Sequence, residues 1–554
     1  MRTLHTPGVS FEWQDASRPL IGPLRTDIAG FVGIAQRGPL HTAVKLQSTT
    51  QFASVFGGKI AQGYLAYAVE GFFANGGDTC WVVRVADPDR AEVASLDIVD
   101  AGGARIFGIK AGSPGSWGNA IVARWMSRGD TVTSLTLDFP DGTQQLIRNP
   151  LDNALPAVTN DIELLSASLP ALFWSPAIRL EKPDRSPPAS YRAPVNGGGG
   201  VLGGGSDGLA TLTPAHVSGE DAPLGRVWGI AALEAVAEIA IVAAPDIMPK
   251  PRFVPHPAPQ PKPDCSKLDP PPPIIAIEPV APERAPSFSD DEIATLQHAL
   301  LRHCEKLRYR VAILDTQDGL LPTDAIAARK PFAYSDRAAL YYPWIQVDDA
   351  LRLDGPVRAV PPSGWIAGVY AKRDRRDGVH QPPANEVLAG ALDVRFAVDP
   401  ILHGDLNDAN VNVIRPFAGR GIRVYGARTV SENTLWTYVN VRRLLLMIEK
   451  AIEQNSQWLV FERNDRSLRR EIDRICRSYL ESLFRAGFLD GADSDSAYFV
   501  ACDDALNPPE IVDAGRVICR IGVQPPYPAE FVIVMIGKTQ NAVDVLSESG
   551  STGA

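Results

Sequence analysis

Two aspartates that follow buried strands are the first candidates for chemistry in this sequence. The apolar run IAIVAAPD (239–246) predicts a strand ending at Asp246, and RVAILD (310–315) predicts a second strand ending at Asp315. Between them, SDDE (289–292) has the spacing of a helix capping box, so strand, helix and strand predict a parallel crossover. Ligands of open parallel sheets sit at the carboxyl ends of the strands, where both aspartates are expected.

The stretch PPSGWIAGVYAKRDRRDGVHQPPANEVLAG (361–390) has the composition of a loop built around an active site. It has Gly and Pro at both ends, with paired basic residues, a Trp and a His between them. His380 within it and His403 beyond it are the candidate general bases for a hydrolytic site at Asp315. A single His in a loop is a surface residue far more often than a catalyst, so this hydrolase remains an alternative hypothesis.

The same region resembles subtilisin-like proteases in sequence but lacks their catalytic residues. AILDTQDG (312–319) resembles their Asp-Thr-Gly segment, and SGWIAGVYA (363–371) resembles the helix that carries their histidine. Aligning Ala367 and Gly368 with that family's Ala-Gly pair places the catalytic histidine at Pro362, which has no proton acceptor for a serine nucleophile. The nucleophile motif Gly-Thr-Ser-Met-Ala is absent from the chain. The sequence therefore predicts a protease-like fold without the protease chemistry.

A structural role explains the 361–390 stretch better than an active site. Gly364 and Gly368 lie one helical turn apart, which predicts close packing of a helix. Trp365 is expected in the core or at an interface. The charged run KRDRRD (372–377) is expected to be a solvated turn or a charge patch between subunits rather than a substrate clamp.

Length, charge and cysteine content restrict the class of protein. At about 100–200 residues per domain, 554 residues predict three or four domains. A net charge of −10 argues against nucleic-acid binding, and the longest apolar stretch contains Glu234 and Glu238, which argues against membrane insertion. The six cysteines lack metal-ligand spacing, so we expect no metal and no cofactor, with Cys304 and Cys476 as buried free thiols of a protein made in the cytoplasm.

The order of apolar, Gly-rich and Pro-rich segments predicts a multidomain α/β protein. A subtilisin-like parallel α/β domain is accompanied by an α+β C-terminal domain, a β-rich insertion and extended N- and C-terminal arms. The predicted boundaries are 1–22 for the N-terminal arm, 23–105 for the first part of the α/β core, 106–200 for the β-rich outer subdomain, 201–420 for the subtilisin-like domain with a Pro-rich insert at 249–286, 421–525 for the C-terminal domain, and 526–554 for the C-terminal arm. NGGGGVLGGGSDG (196–208) is expected to be a linker or structural turn rather than a phosphate cradle, because no Gly-Lys-Ser/Thr follows.

The C-terminal part has a strongly patterned sequence. Its order of predicted elements is strand IRVYGARTV, a helix over about 434–454, strand WLVFE, a helix over 466–486, and strands YFVAC and RVICRIGV. Near the end, FVIVMI (531–536) forms an apolar, β-branched run. Such a strand is an aggregation hazard when exposed, so either its own domain pairs it or another subunit covers it.

Short motifs occur in a characteristic order along nearly the whole chain. They are TPGV (6–9), GFVGIAQRGP (30–39), GGDTCWVVRV (76–85), SPGSWGN (113–119), LGGGSDG (202–208), ALEAVAEIAIVAAPD (232–246), the 361–390 stretch, NVIRPFAGRGIRVYGARTVS (412–431), YVNVRRLL (438–445) and WLVFERND (458–465). Together they resemble the tail sheath proteins of contractile phages, tailocins and bacterial contractile injection systems. The Pro-rich insert lies outside this resemblance.

The resemblance implies a mechanical protein and not an enzyme. Sheath subunits stack as hexameric rings around an inner tube, engage baseplate and tail-terminator proteins, and contract to drive the tube through a target envelope. Terminal arms add strands to the sheets of neighbouring subunits, where main-chain hydrogen bonds supply affinity. The arm residues implied here are Pro7, Gly8, Val9, Phe11, Phe531, Val532, Ile533, Val534, Met535 and Ile536. A non-contractile shell or adhesin subunit is a further alternative.

A row of arginines on the 466–486 helix is the candidate contact with the inner tube. Apolar residues at helical spacing give this helix a buried face. The row lies nearly opposite that face and consists of Arg466, Arg470, Arg474 and Arg477. An acidic partner surface would match it, and related sheaths place a basic helix against the tube. A solvated face that includes Glu471 and Asp473 is the simpler interpretation.

Overall fold

The computed structural model describes most of the chain in two compact units. The described residues are 24–99, 105–128, 131–140, 142–148, 178–181, 198–220, 222–248, 283–349, 351, 357–530, 533–538 and 543–548. One unit comprises residues 25–443, and the other comprises 1–24 together with 444–554.

The strands of the described residues are, in chain order, β1 Ala29–Gly33, β2 Ala43–Leu46, β3 Cys80–Arg84, β4 Ser95–Val99, β5 Arg105–Ala111, β6 Val122–Arg128, β7 Thr131–Asp138, β8 Gln144–Arg148, β9 Ile178–Glu181, β10 Gly199–Val201, β11 Ile241–Ala243, β12 Val311–Asp315, β13 Ala338–Tyr342, β14 Ile345–Asp348, β15 Val357–Val360, β16 Ala391–Val394, β17 Asn412–Phe417, β18 Gly421–Val424, β19 Tyr498–Ala501, β20 Arg520–Val523, β21 Ile533–Lys538 and β22 Val543–Glu548.

The α-helices of the described residues are α1 Thr49–Phe56, α2 Leu65–Ala74, α3 Pro214–Ser218, α4 Asp290–Leu307, α5 Pro322–Arg329, α6 Ser363–Arg376, α7 Pro400–Asp408, α8 Val439–Asn455, α9 Arg466–Arg485, α10 Ser494–Ala497 and α11 Pro509–Asp513.

The larger unit is built on an eight-stranded sheet of order β18-β17-β13-β12-β11-β1-β3-β2. Its six central strands are parallel, and the edge strands β18 and β2 run antiparallel to their neighbours. Strands β1, β3, β12 and β13 are buried along their whole length, as expected of a parallel sheet covered on both faces. The helices α2 and α6 pack against each other and against this sheet.

The predicted strand–helix–strand crossover is confirmed. Strands β11 and β12 are parallel neighbours, and α4 lies between them in the sequence. The capping box begins α4, because the Ser289 side chain accepts from Glu292 N–H while the Glu292 carboxylate accepts from Ser289 N–H at 2.8 Å. Cys304 is fully buried on this helix as a free thiol.

The described strands between β3 and α3 form two small antiparallel sheets, of order β10-β6-β7-β8 and β4-β5-β9. They share an apolar cluster that includes Ile98, Phe107, Ile109, Leu135 and Leu137, separate from the core of the large sheet. A distinct core is what allows a segment to fold as its own layer.

In the smaller unit, most of the predicted elements form, and one does not. The predicted strands YFVAC and RVICRIGV form the antiparallel pair β19–β20, and the 466–486 helix is α9. The predicted strand WLVFE is wrong: after α8 the chain makes a short 3₁₀ helix, Gln457–Leu459, and Phe461 has a left-handed φ of +72°. That φ ends any extended conformation, so Val460 and Phe461 stay exposed instead of joining a sheet.

Candidate functional site

Asp246, the first candidate for chemistry, holds the start of a helix. It is buried, and its carboxylate accepts from the N–H groups of Ile34 at 2.7 Å, Tyr64 at 2.6 Å and Leu65 at 3.2 Å. Tyr64 and Leu65 begin α2, whose first N–H groups have no partner inside the helix. A carboxylate in that place stabilises the helix terminus and joins it to the short 3₁₀ helix, Pro245–Ile247, that follows β11 and carries Asp246.

Asp315 does the same for α6. Its Oδ1 accepts from Ser363 N–H, the first residue of the helix, at 2.9 Å. The predicted position of the catalytic histidine, Pro362, is the N-cap of this helix, and its carbonyl accepts from Ile366 N–H at 3.0 Å. Burial raises the pKa of Asp315 to about 7. Both aspartates at the strand ends therefore have structural partners.

The structure does not bring the candidate bases to Asp315. The carbonyl of His380 accepts from Asn440 Nδ2 at 2.8 Å. His403 contacts the carbonyl of Tyr425 through Nε2 at 3.1 Å and the Arg415 guanidinium through Nδ1 at 3.3 Å. Within the described residues, the carboxylate of Asp315 hydrogen-bonds Ser363 and no histidine. The acid–base pair of the hydrolase hypothesis is not assembled.

Glycines in α6 allow it to lie directly against α2. A Cβ on Gly364 would lie 2.3 Å from Ala68 O, and one on Gly368 would lie 2.5 Å from Phe72 O. Trp365 is buried beside Gly71, where a Cβ would meet the indole ring at 2.3 Å. The sequence-based expectations of helix packing and of a core Trp are confirmed, because side chains larger than hydrogen cannot fit between these backbones.

The charged run 372–377 is the end of α6 and not the solvated turn that the sequence predicts. Lys372, Arg373 and Arg376 all form ion pairs with Glu386, at 2.9, 3.3 and 2.6 Å. Asp374 forms a fully buried pair with Arg443 at 2.6 Å. The helix continues because Lys and Arg are good helix formers and each charge is matched by a fold partner. Little of this charge is left for another molecule.

The glycine-rich loop before α3 is an anion nest that the chain fills by itself. The Glu283 carboxylate accepts from the N–H groups of Asp207 at 2.6 Å, Gly208 at 3.3 Å and Leu209 at 2.8 Å, and from Ser206 Oγ at 2.9 Å. Burial alone would raise the pKa of Glu283, but these hydrogen bonds outweigh it and lower the pKa. The interpretation of the loop as a structural turn is confirmed, and its ligand is a carboxylate of the same chain.

Helix α9 presents the predicted arginine row. Its opposite face is buried through Leu468, Ile472, Ile475, Tyr479 and Leu483. All four arginines of the row are exposed, but three have acidic partners: Arg466 with Asp504 at 2.6 Å, Arg474 with Glu471 at 2.8 Å, and Arg477 with Asp473 at 2.8 Å. Arg470 is exposed and forms no ion pair with the described part of the chain. The free positive charge of the row is therefore concentrated at Arg470.

The C-terminal apolar run is paired within its own chain. Strand β21, which contains Ile533, Val534, Met535 and Ile536, is antiparallel to β22, with Ile533 opposite Glu548 and Lys538 opposite Val543. The other predicted arm residues, Phe531, Val532, Pro7, Gly8, Val9 and Phe11, lie outside the described residues.

The described residues contain no group of three or more His, Cys, Asp or Glu side chains that could hold a metal ion. Among the helices in the described ranges, none has both the length and the apolarity that a membrane span requires. The candidate residues described above either stabilise the fold or lie exposed on its surface.

Two adjacent segments match known protein families. Residues 285–430 match the phage tail sheath protein central domain, and residues 431–537 match the phage tail sheath C-terminal domain. Residues 285–537 thus carry the central and C-terminal domains of the phage tail sheath family.

Curated relatives of this sheath protein come from phages and a prophage. It is 29% identical over 191 residues to the tail sheath protein of Vibrio phage KVP40, an alignment that covers 34% of this chain and 28% of that protein. It is 28% identical over 256 residues to a prophage major tail sheath protein of Pseudomonas aeruginosa, covering 44% of this chain and 61% of that protein. The alignments thus span less than two thirds of each relative.

Solved sheath structures share the multidomain mixed α/β fold of this sheath protein. The sheath complex of an extracellular contractile injection system, PVC, in its contracted state matches with a TM-score of 0.53 at 20% identity. That match covers 98% of this chain and 99% of the other chain.

Sequence reasoning missed two features of the sheath protein. It placed Glu283 inside the Pro-rich insert and gave it no role, because its partners lie more than 70 residues earlier in the chain. It also named Glu471 and Asp473 beside the arginine row without assigning their partners, although their positions three or four residues away on the helix indicated ion pairs with Arg474 and Arg477.

Proposed function

We propose that this chain is a subunit of a contractile sheath that polymerises as stacked hexameric rings around an inner tube. Contraction of the sheath drives the tube through a target envelope. The observation that carries the proposal is the fold match over nearly the whole chain to a sheath complex in its contracted state. In this proposal the subtilisin-like parallel domain is a scaffold without catalytic chemistry, and the domain boundaries predicted from the sequence apply.

An open edge on β20 supports strand addition from a neighbour. Gln524 N–H donates to Ala497 O at 2.8 Å, one step beyond the Tyr498–Val523 pair of the β19–β20 register. Hydrogen-bonded and non-hydrogen-bonded pairs alternate along an antiparallel ladder, so Ile521 and Val523 direct their N–H and C=O groups away from β19. No strand among the described residues pairs with that side of β20.

The opposite edge of this small sheet is partly occupied. Arg477, on α9, donates from Nη2 to the carbonyl of Val500 in β19. A strand arriving at β19 would have to displace that hydrogen bond, while a strand arriving at β20 would not. We therefore assign β20 as the acceptor edge for an arm of a second copy of this chain.

The C-terminal hairpin β21–β22 supplies a suitable donor. An isolated two-stranded hairpin is marginally stable in water, and both this hairpin and β19–β20 are two-stranded. Joining one subunit's hairpin to another's β20 edge makes a four-stranded sheet and satisfies the free backbone groups. The N-terminal residues Pro7, Gly8, Val9 and Phe11 act as the second arm.

The same unit has exposed apolar side chains that a strand from a neighbouring subunit would bury. They are Val460, Phe461, Phe499, Ile518 and Tyr527, of which Phe461 is fully exposed. Large exposed apolar side chains are typical of surfaces that become buried in an assembly.

The remaining partners follow from the mechanical role. The inner tube contacts the arginine row, chiefly through Arg470, and a polar contact of this type releases as the sheath widens. Baseplate and tail-terminator proteins bind the ends of the stack. The subunit is made and assembled in the bacterial cytoplasm as part of a phage tail or tail-like particle, and it is not an enzyme.

The test is negative-stain electron microscopy of the purified protein with the tube protein encoded beside it. The full chain should form hollow cylinders with a regular ring repeat. A chain lacking residues 531–554 should remain folded by circular dichroism but form no cylinders, because it has lost the donor hairpin. The matched control lacks only residues 549–554, keeps β21–β22, and should assemble normally. Monomers from the full chain at every salt concentration would refute the proposed function, and normal cylinders from the longer truncation would refute the arm.

A further inference from the structure

Three cysteines of the C-terminal unit come together although they are far apart in the sequence. Cys476 lies on α9, Cys502 directly follows β19, and Cys519 directly precedes β20. All three are free thiols; Cys476 and Cys502 are buried, and Cys519 is partly exposed. Neither the sheath family nor the proposed mechanical role accounts for this cluster.

The strand register places Cys502 opposite Cys519. Ala501 pairs with Arg520 in the antiparallel ladder, so the next pair outward is Cys502 with Cys519. Ala497 and Gln524 form a hydrogen-bonded pair, and hydrogen-bonded pairs recur at every second position of the ladder. Cys502 and Cys519 are therefore a non-hydrogen-bonded pair, whose Cα atoms are typically about 4.5 Å apart. That separation is within the range of about 4.4–6.8 Å that disulfides span.

The side chains are in contact as this register requires. The side chain of Cys519 interacts with those of both Cys476 and Cys502. The hydrogen bond from Cys519 lowers the pKa of Cys476, whereas burial raises the pKa of Cys502 to about 12. Of the three cysteines, Cys519 is the one that solvent reaches.

Neighbouring hydrogen bonds fix the backbone on both sides of the cluster. Asn507 Nδ2 donates to Ile518 O at 2.8 Å, and Ile518 N–H donates to Asn507 Oδ1 at 2.6 Å, immediately before Cys519. Arg477 donates to Val500 O, two residues before Cys502. The sulfur atoms are consequently held near each other with little backbone movement available, which favours a bond between them over other fates.

We propose that Cys502 and Cys519 are an oxidative modification site, at which a hydroperoxide forms an intramolecular cross-strand disulfide. The Cys519 thiol passes its proton to the Cys476 thiolate as its sulfur attacks one oxygen of the peroxide. The O–O bond breaks, Cys519 becomes a sulfenic acid, and the other oxygen leaves as hydroxide, which a solvent proton converts to water. The Cys502 sulfur then attacks the Cys519 sulfur, the sulfenic hydroxyl leaves with the Cys502 proton as the second water, and Cys476 returns its proton to solvent. Two thiols and one peroxide become one disulfide and two waters.

The bridge would alter the acceptor edge of the sheet. It joins the end of β19 to the beginning of β20 and closes the segment that contains α11. The thiols stay reduced in a cytoplasm-like environment and oxidise outside it. The modification therefore distinguishes a subunit before its release from the cell from one after its release. The chemistry itself does not depend on the proposed sheath function and can be tested on the isolated chain.

To test this proposal, the folded full chain is treated with a small excess of hydrogen peroxide. Its intact mass is then measured without reductant, and its peptides are mapped. The expected product has lost two hydrogen atoms and contains a peptide pair joined through Cys502 and Cys519. Cys304 and Cys80, fully buried in the other unit, are internal controls that should stay unmodified.

Three variants separate the roles of the sulfur atoms. Cys502→Ser and Cys519→Ser should each abolish the bridge, and Cys476→Ser should form the same bridge about tenfold more slowly. A bridge that includes Cys476, a bridge between chains, or stable sulfinic acid without any disulfide would overturn the proposal. Formation at an unchanged rate in Cys476→Ser would overturn the role of Cys476 as proton acceptor.

Discussion

Replacing Gly364 by Ala should separate the two helices that cover the parallel sheet. The added Cβ would lie 2.3 Å from Ala68 O and 2.4 Å from Ala68 Cα. Both are backbone atoms of α2, so no side-chain rotation relieves the overlap. Ordinary van der Waals contact begins at 3.4 Å, which requires α2 and α6 to move apart by about 1 Å.

The expected cost is near the upper end of the range for overpacked cores. Such substitutions cost about 1–3 kcal/mol when neighbours can adjust, and here the neighbour is backbone, so we expect about 3 kcal/mol of lost stability. An intrinsic helix preference for Ala over Gly of about 0.5–1 kcal/mol opposes this and is included in that figure. Ala68→Gly should not restore stability, because the contact is with the main chain of Ala68.

Gly404 provides the matched control. It lies in helix α7, is exposed, and has open space around the position of a Cβ. Gly404→Ala should therefore raise stability by about 0.5–1 kcal/mol. Urea unfolding, followed by near-ultraviolet circular dichroism, measures both variants. Equal midpoints for Gly364→Ala and Gly404→Ala would show that the helices do not touch at Gly364 and would refute the packing argument.

Two further predictions concern Asp315 and the arginine row. Burial raises the Asp315 pKa from 3.8 to about 7, so the folded chain holds a proton that the unfolded chain releases, and stability falls as the pH rises through that window. Asp315→Asn should lack this fall. In urea unfolding, its stability relative to the natural chain should improve by up to about 4 kcal/mol as the pH rises from about 4 to about 8. A stability difference that does not change with pH would contradict the burial argument. Arg470→Glu should lower the salt concentration at which sheath and tube protein separate in co-sedimentation, while Arg470→Lys should not. One exposed ion pair contributes about 0.2–1 kcal/mol, repeated in every subunit, so identical salt dependence for both variants would exclude Arg470 from the contact.

Much of the fold follows from local patterns in the sequence. Continuous apolar runs identified the buried parallel strands, and the serine and glutamate of the capping box identified the start of α4. The apolar spacing of α9 also predicted which face is buried. Each of these signals operates over a few residues, where spacing alone determines which side chains share a face.

Predictions failed where a distant partner or a special backbone conformation decides the outcome. WLVFE has the composition of a strand, yet the left-handed φ of Phe461 and the lack of a pairing strand in the described residues make it a turn. The run 372–377 has the charge density of a solvated turn, yet Glu386 and Arg443 neutralise it as the end of a helix. Neither partner is identifiable from the local sequence.

The sequence by itself determined most of the strands and helices, the absence of a usable base at Pro362, and the resemblance to the sheath family. Only the tertiary structure decided what the chemically capable residues do. It turned Asp246 and Asp315 into helix caps, placed Glu283 in a nest of N–H groups, and brought three cysteines to one point. The physical reason is that a polar group buried by folding must find a partner, and the fold determines which distant group supplies it.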